Sequence, residues 1–320
     1  MMFLWLPPLA LLLDLLFADP KRLPHPVQGI GLLANTIEGP ARRMGCRIKH
    51  PVLAGALALL FLLLLTGGSV ALAIRLPFGL GTLAAVYCAW SGLALGGLVQ
   101  KCTEALQAIQ AAEGAPDSLS VARELVGMLV SRDTSLMDVP DLYRSLAESV
   151  SENFNDAFVA PYFWLCLGGP VALWLYKTVS TLDSMWGYTS ERWLYFGRAA
   201  ARLDDLLAFI PARLAALLLW LTAPRHTKAN WPGYATISKQ ARQSASPNAG
   251  WPMTVAAWLF DGRMGGPTVY DGILIYKPLL GREGSAWQYA NTAALIRHAR
   301  RAGIVGGLLA FMLASFIIFW

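Results

Sequence analysis

The chain alternates between long apolar runs and polar stretches from one end to the other. Six runs are apolar enough to form membrane helices, and the four without charge meet or nearly meet the roughly 20 residues that cross the hydrocarbon of a bilayer. These predicted segments are residues 2–17, 51–74, 76–100, 157–176, 206–222 and 302–320. Asp14 interrupts the first run and Arg213 the fifth, whereas the other four carry no charge. The pattern predicts an all-α, polytopic helical membrane protein that forms a single integral membrane domain over residues 1–320.

The polar stretches between these segments are residues 19–50, 101–156, 177–205 and 223–301. The first contains six Lys or Arg side chains and two acids, so the positive-inside rule places it in the cytoplasm. Helical spacing predicts soluble helices in 101–156, one of which begins near Pro140. Segments 157–176 and 206–222 leave two alternatives open. If both cross the membrane, 177–205 lies outside; if they enter the bundle only in part, that loop stays on the cytoplasmic side.

Composition supports a membrane protein and excludes several other classes. Hydrophobic residues make up 56% of the chain and charged residues only 14%, whereas soluble domains carry about 25% charge. The net charge of +6 suits basic loops that contact anionic lipid, and no arginine-rich run predicts a nucleic-acid interface. Four scattered cysteines argue against a disulfide framework or a zinc site. The chain has no P-loop, HExxH, GxSxG or GxGxxG motif, and GILIY, residues 272–276, is only an ambiguous strand signal.

Acidic and amide side chains cluster directly before the fourth apolar segment. Glu148, Glu152, Asn155 and Asp156 fall at offsets 0, 4, 7 and 8, which is one face of an α-helix. All four offer oxygen atoms, the ligands that Mg²⁺ prefers. A solvated acidic helix face is the alternative. Because the same face continues into the apolar run AFVAPYFW, the carboxylates are directed towards the bundle, which gives weight to a metal site.

A second cluster, TLDSMWGYTSERWLYFGRAAARLDDLLAFIPARL, combines carboxylates with arginines. Asp183, Asp204 and Asp205 accompany Arg202 and Arg213 in this stretch. Arginine presents a planar fork that fits phosphate oxygens, so the cluster predicts a phosphate and metal site. Ion pairs within a helix are the alternative. Arg213 stands out because a charge inside an apolar run requires a partner or an anionic ligand.

Two loops contribute further candidates. SPNAGWP, residues 246–252, places Ser246 and Asn248 before a predicted helix start that could hold an anion, and an ordinary cap and turn is the alternative. DPKRLPHP places Arg22 and His25 among prolines that fix the backbone. His25 is a candidate proton-transfer group or ligand, although a lone loop histidine is more often neither.

Four stretches of the chain resemble one known family. DLLFADPKRLPHPVQGIG, VSRDTSLMDVPDLYRSLAESVSENFNDAFVAPYFW, the second cluster above and SPNAGWPMTVAAWLFDGRMGGPTVYDG are similar, in this order, to the adenosylcobinamide-phosphate synthase family of cobalamin biosynthesis, CobD/CbiB-like integral membrane proteins. The resemblance covers the chain from about residue 11 to about residue 280. The chain departs from the family pattern at SENFNDAF, where Asn-Thr-x-Asp-Gly is expected, but Asn153 and Asp156 match.

The resemblance implies a carbon–nitrogen ligase. An aminoalcohol, as its O-phosphate (aminopropanol or ethanolamine phosphate), would join the free propionate of adenosylcobyric acid through an acyl phosphate and give adenosylcobinamide phosphate. The family chemistry implies Mg²⁺, ATP as co-substrate and a cobalt corrinoid as substrate. It also implies a multi-pass protein of the cell inner membrane with its active site on the cytoplasmic side. The expected partners are adenosylcobyric acid, the aminoalcohol phosphate, ATP, the lipid membrane and other cobalamin-assembly enzymes; nucleic acid is not expected.

The candidate residues then take three expected roles. The expected catalytic residues are Glu152, Asp156, Asp183 and Asp205. The expected metal ligands are Glu148, Glu152, Asp156 and Asp204. The expected substrate- and phosphate-binding residues are Arg22, His25, Arg132, Asp133, Asn153, Arg202, Arg213, Ser246 and Asn248. Trp and Tyr side chains within 186–195 and 251–258 are expected either to line a corrin pocket or to anchor the protein at the membrane interface.

A non-enzymatic membrane protein is the alternative function. It would be a transporter for a corrinoid or an anion, or a sensory protein. Transporters commonly show matching broken helices in two repeats. The polar clusters of this chain lie in 132–213 and 246–272 without a matching copy in the first half, which favours the enzyme.

Overall fold

A computed structural model describes residues 4–18, 25–188, 190–270 and 272–319. These residues form thirteen α-helices and one antiparallel hairpin, so the all-α prediction is confirmed with a single exception. The helices are α1 (Leu6–Phe17), α2 (Pro26–Ile48), α3 (Pro51–Ala73), α4 (Leu80–Ser91), α5 (Leu95–Gly114), α6 (Leu119–Gly127), α7 (Val139–Asn153), α8 (Ala160–Trp186), α9 (Arg198–Leu207), α10 (Phe209–Thr222), α11 (Tyr234–Ala241), α12 (Gly250–Leu259) and α13 (Tyr289–Phe319). The strands are β1 (Met264–Tyr270) and β2 (Ile273–Leu280).

Three helical stretches in the described part of the chain are long and apolar enough to cross a membrane. They are Pro51–Ala73, Leu80–Gly114 and Val139–Trp186. The pair Arg198–Leu207 and Phe209–Thr222 adds a fourth if it counts as one broken span. The prediction of a helical membrane protein is therefore confirmed. Which of the six predicted segments cross the bilayer completely stays a prediction.

Long helical stretches are interrupted at two places. α8 has non-helical backbone at Gly168 and Gly169 directly before Pro170, because a proline inside a helix removes a hydrogen bond and clashes with the preceding turn. Between α7 and α8, residues Phe154–Val159 form a π-helix. Its wider turn shifts side chains away from α-helical spacing. The uninterrupted α-helix predicted through this stretch is therefore wrong.

The chain divides into two compact units. The first comprises Met1–Ala94, Ala160–Ala208 and Gly307–Trp320. In this unit α3 packs against α2, α8 and α9, and Leu62, Leu182 and Trp186 are fully buried in the core between them. The loop that follows α8 is fixed to this core by the ring of Phe196, whose centroid lies 5.1 Å from that of Trp186.

The second unit comprises Leu95–Val159 and Phe209–Gly306. α7 and α10 both pack against α12, α5 packs against α7, and the hairpin lies against α7 and α12. Nearly every residue of α12 is buried, so this helix forms the centre of the unit. α7 follows Asp138, whose side chain accepts a hydrogen bond from Asp141 N at 2.9 Å. The predicted helix start near Pro140 is confirmed.

The hairpin contains a glycine that no other residue could replace without strain. β1 and β2 pair in antiparallel register with Thr268 opposite Ile275, so the ambiguous GILIY run forms the beginning of β2. The register is irregular between Met264 and Gly266. There Gly265 has a φ of +85°, and a Cβ atom at this position would collide with the backbone of β2. This backbone directs the Gly265 N–H towards α7.

Candidate active site

A buried ion pair forms the centre of a polar cluster in the second unit. Arg132 Nη2 lies 2.5 Å from Glu148 Oε2, and both side chains are almost fully buried. Arg132 Nη1 donates to Ser145 Oγ at 3.3 Å, and Glu148 Oε1 accepts from Gly265 N at 2.7 Å. Buried charges are tolerated only when they are paired and hydrogen-bonded. Both Glu148 oxygens are thereby engaged by protein donors.

Glu152 lies one helical turn after Glu148 and is exposed. Its carboxylate interacts electrostatically with Lys277, Glu148 and Arg132. Lys277 belongs to β2, and its Nζ lies 4.9 Å from the ring centroid of Tyr270 at the end of β1. The cluster therefore combines an exposed carboxylate with an ammonium group and a buried arginine that both act on it electrostatically. Such a surface can accept a proton and neutralise phosphate charge.

The hairpin is fixed to α7 and to the loop before it. Arg144 Nη2 donates to Pro267 O at 3.0 Å and pairs with Asp141 at 2.8 Å. Asp133 N donates to Val269 O at 3.1 Å. The Asp133 carboxylate is exposed, and hydrogen bonds from the side chain and backbone of Ser135 lower its pKa. Asp133 therefore anchors the hairpin through its backbone, and its side chain stays available to solvent.

The π-helix carries the remaining predicted residues of the first cluster. Asn155 Nδ2 donates to Asp156 Oδ1 at 2.7 Å, while Asn155 Oδ1 is buried without a hydrogen-bond partner among the described residues. Asn153 instead uses its amide within α7 and donates to Ser149 O at 3.0 Å. π-helical turns are frequent at functional sites because they redirect side chains. The orphaned oxygen of Asn155 is the polar group most in need of a ligand here.

The structure brings Arg213 together with Ser246 and Asn248. Arg213 Nη1 donates to Asn248 Oδ1 at 2.7 Å, Arg213 Nη2 donates to Pro247 O at 3.1 Å, and the guanidinium carbon lies 3.6 Å from the ring centroid of Phe209. Among the described residues, no carboxylate pairs with Arg213. Its charge is therefore stabilised by neutral oxygens and an aromatic face, which leaves it suited to an anionic ligand.

The loop before α12 agrees with the second of its two interpretations. Ser246 Oγ accepts from Asn248 N at 3.2 Å and from Ala249 N at 3.3 Å. The serine therefore satisfies two N–H groups that an anion could otherwise have bound. The ordinary cap and turn is therefore the better description of this backbone, and Arg213 is the anion-binding candidate at this place.

The first unit contains a separate cavity of about 440 Å³. It lies between the loop after α8 and α9, and its lining includes Tyr188, Trp193, Tyr195, Arg198, Arg202 and Asp205. Asp205 interacts electrostatically with Arg202 and with Asp183. Asp204 is half-buried beside them and does not line the cavity. The predicted members Asp183, Arg202 and Asp205 thus interact electrostatically, and Arg202 and Asp205 line a cavity that also carries Arg198 and aromatic side chains.

His25 has a local role in the first unit. Its Nδ1 accepts a hydrogen bond from Val27 N at 3.3 Å, and the residue caps α2. Proton transfer by His25 stays a prediction. The predicted ligand Arg22 lies outside the described residues.

The four predicted metal ligands do not form one preorganised metal site. Within the described ranges, no group of three or more His, Cys, Asp or Glu side chains is arranged to hold a metal ion. Glu148 is engaged by Arg132 and Gly265, whereas Glu152 and Asp156 lie on α7 and the π-helix that follows it. Metal binding by any of these residues stays a prediction.

Several cluster members were missed in the sequence. Lys277 and Tyr270 lie in the hairpin, and Ser145 and Gly265 complete the partners of the buried ion pair. The only sequence signal for Lys277 was its position as the single charge in the run ILIYKPLL. Such an isolated charge in an apolar strand could have been noted as a candidate.

Fold and site together define a helical membrane protein with charged clusters suited to anionic ligands. The family model described as CobD/Cbib protein matches residues 7–299. The chain therefore belongs to the CobD/Cbib protein family, and the resemblance predicted from the motifs is confirmed.

Relatives of known name agree with this assignment. A protein of Pelobacter propionicus is 38% identical over 303 residues, which cover 90% of this chain and 91% of the relative. A protein of Chromobacterium violaceum is 40% identical over 279 residues, covering 86% of this chain and 85% of the relative. Both are named cobalamin biosynthesis protein CobD. No solved structure is significantly similar to the chain.

Proposed function

We propose that this protein is an enzyme of cobalamin biosynthesis that joins an aminoalcohol, as its O-phosphate, to the free propionate of adenosylcobyric acid at the cytoplasmic side of the inner membrane. Family membership and the names of the relatives support the pathway. The observation that carries the chemistry is the exposed carboxylate of Glu152, which interacts electrostatically with Lys277 and with the buried Arg132–Glu148 pair.

A carboxylate does not react with an amine unaided, because its oxygen is a poor leaving group. In the proposed first step, a propionate oxygen attacks the γ-phosphorus of ATP, the bond to the β–γ bridging oxygen breaks, and ADP leaves. The amine then attacks the carbonyl carbon of the acyl phosphate, phosphate leaves, and the ammonium proton passes to a base. Both steps concentrate negative charge on phosphate oxygens, so cationic side chains lower the barrier.

Each residue of the cluster has a place in this scheme. Glu152 is the base that accepts the ammonium proton, since its carboxylate is exposed to a substrate. Lys277 neutralises phosphate charge as the acyl phosphate forms and breaks. Glu148 holds Arg132 and the hairpin in position through its two oxygens. Arg213 binds a phosphate group through N–H donors of its guanidinium, with which no carboxylate of the described residues pairs.

Mg²⁺ fits the residues around the π-helix. Asn155 Oδ1 is a buried oxygen that lacks a donor among the described residues, and Asp156 is adjacent. Mg²⁺ in phosphate sites is commonly held by one or two carboxylates together with the substrate phosphates, so a larger protein cluster is not needed. Asp156 and Asn155 would hold the ion together with the substrate phosphates. When bound, Mg²⁺ would supply charge neutralisation at the ATP phosphates.

The cavity of the first unit provides an independent candidate for phosphate binding. Arg198 and Arg202 lie four residues apart on α9, and both line the cavity together with three aromatic side chains. Guanidinium groups and aromatic rings suit a ligand that combines phosphate with a planar ring system. Asp205 would act there as a further acid–base or ion-binding group, under the electrostatic influence of Asp183.

The proposal is tested with full-length protein in lipid nanodiscs. ADP release is measured with adenosylcobyric acid and aminopropanol phosphate, each alone and together, and the corrinoid product is identified by mass spectrometry. We expect ADP release only with both substrates. Glu152→Gln should lower turnover by about 10²–10⁴-fold, as expected for loss of a general base. Glu124→Gln is the matched control, since Glu124 is exposed on α6. No ADP release, combined with corrinoid uptake into proteoliposomes, would instead support the transporter.

A further inference from the structure

An open cavity of about 640 Å³ lies at the turn between α2 and α3 in the first unit. Its lining includes Lys49, His50, Val52, Leu53, Ala56 and Tyr195. The chemistry of the lining changes along the chain, because the two basic residues precede the first residue of α3 and the apolar ones follow inside the helix. A ligand that fills the cavity therefore needs an anionic end and an apolar end.

The basic side chains at the cavity are not engaged by the protein. Within the described residues, neither the Lys49 ammonium nor the His50 imidazole forms an ion pair or a hydrogen bond. The Lys49 backbone closes the end of α2 through its N–H, so its side chain has no part in the turn. Arg43 and Arg47 are exposed on the last turns of α2 and add positive charge nearby.

An apolar path leads from the cavity along α3. Leu53, Leu57, Leu60 and Leu64 fall at offsets 0, 4, 7 and 11, which is one face of the helix. These side chains are 49%, 45%, 50% and 67% exposed in the isolated chain. α3 is also one of the helices long and apolar enough to cross a membrane. An exposed leucine stripe on such a helix faces lipid. The cavity opens at the end of this stripe where the chain becomes basic.

We propose that this cavity binds one anionic phospholipid, with its phosphate at Lys49 and His50 and an acyl chain along the leucine stripe of α3. Basic pockets at the cytoplasmic end of membrane helices are suited to anionic headgroups. A soluble anion would leave the apolar wall of Val52, Leu53 and Ala56 uncovered. A zwitterionic lipid carries its own cation, which would be repelled by the uncompensated basic groups.

The first test measures lipid retention by native mass spectrometry. Full-length protein is prepared in nanodiscs of phosphatidylcholine and phosphatidylglycerol, released into mild detergent, and analysed for bound lipid. We expect phosphatidylglycerol to be retained in preference to phosphatidylcholine. Lys49→Gln should weaken this retention about fivefold, as expected for one cation at a membrane surface. Arg75→Gln is the matched control, because Arg75 is exposed just beyond the opposite end of α3. Equal retention in the two variants would overturn the proposal.

The second test separates a lipid from a free phosphate. Ala56→Trp should fill the cavity and abolish the preference for phosphatidylglycerol, whereas Leu83→Trp, at an exposed position of α4 outside the stripe, should leave the preference intact. Excess inorganic phosphate should not displace the lipid. Displacement by phosphate, or full retention in Ala56→Trp, would show that the cavity is not a phospholipid site. Melting temperatures in pure phosphatidylcholine discs identify any variant that loses its fold.

Discussion

Replacing Glu148 by Gln removes one charge from a pair that is almost completely buried. The side chains of Arg132 and Glu148 are 6% and 1% exposed. Glutamine keeps an oxygen that can accept from Gly265 N, so the hairpin contact can survive while the charge is lost. Breaking a buried pair by removing one partner costs about 3–5 kcal/mol, because the other charge stays buried. Glu152 also acts on Arg132 and compensates part of its charge, so we expect about 3 kcal/mol.

A double-mutant cycle in detergent measures this coupling. Unfolding of Glu148→Gln, Arg132→Met and the double variant is followed by tryptophan fluorescence with increasing denaturant. The double variant should cost less than the sum of the single variants by about 2 kcal/mol, since it leaves no unpaired charge. Asp261→Asn is the control. Its partner Arg282 lies 4.0 Å away with both side chains more than half exposed, so its loss should cost less than about 1 kcal/mol.

Two results would refute this reasoning. If Glu148→Gln lowers the free energy of unfolding no more than Asp261→Asn does, the mutation does not leave an uncompensated charge on Arg132. If the single costs add without coupling, Arg132 and Glu148 do not depend on each other. Either result would also remove the basis for treating Glu148 as the residue that holds Arg132 in the proposed site.

Three further outcomes follow from the same structure. Gly265→Ala should destabilise the protein by about 1–3 kcal/mol and lower activity, because φ is +85° and the added Cβ atom would collide with backbone atoms. Gly284→Ala, at a φ of +79° in open space, should lower the stability less. Thermal unfolding compares the two variants. Arg213→Lys should raise KM for a phosphate-bearing substrate about 10-fold, because a lysine lacks the planar fork, and steady-state kinetics measure it. Burial lowers the pKa of His298, so protonation favours the unfolded chain. The contribution of His298 to stability is therefore present above the unfolded pKa of about 6.5 and is lost as the pH falls below it. The melting temperature of His298→Gln should depend on pH less than that of His226→Gln, which keeps His298.

Features that depend on a local sequence pattern could be predicted. Charge-free runs predict membrane helices because hydrocarbon excludes charge, and the structure contains helices long enough to cross at three of them. Pro140 predicts the start of α7, since proline is favoured in the first turn of a helix. Arg213 was recognised because a charge in an apolar run is costly wherever the chain goes.

The partners of these residues could not be predicted in the same way. Glu148 meets Arg132 across 16 positions of sequence and Gly265 across 117, and helical periodicity gives a face without giving the element it packs against. The π-helix escaped prediction because Phe154–Val159 would fit an α-helix, and only packing in the folded chain selects the wider turn. Lys277 was missed because the strand signal around it was weak.

The two carboxylates at the end of α7 contribute to the site in different ways. A buried ion pair such as Arg132–Glu148 adds little net stability compared with apolar residues of the same volume, because desolvation offsets its attraction. The pair instead positions the hairpin, because Glu148 contacts both Arg132 and the N–H of Gly265 and so holds β1 against α7. β2 is paired to β1, and this pairing places Lys277 near Glu152. Glu148 therefore determines the position of Lys277, whereas Glu152 is the carboxylate exposed to a substrate. Loss of Glu152 should reduce turnover without the loss of stability that is expected when Glu148 is replaced.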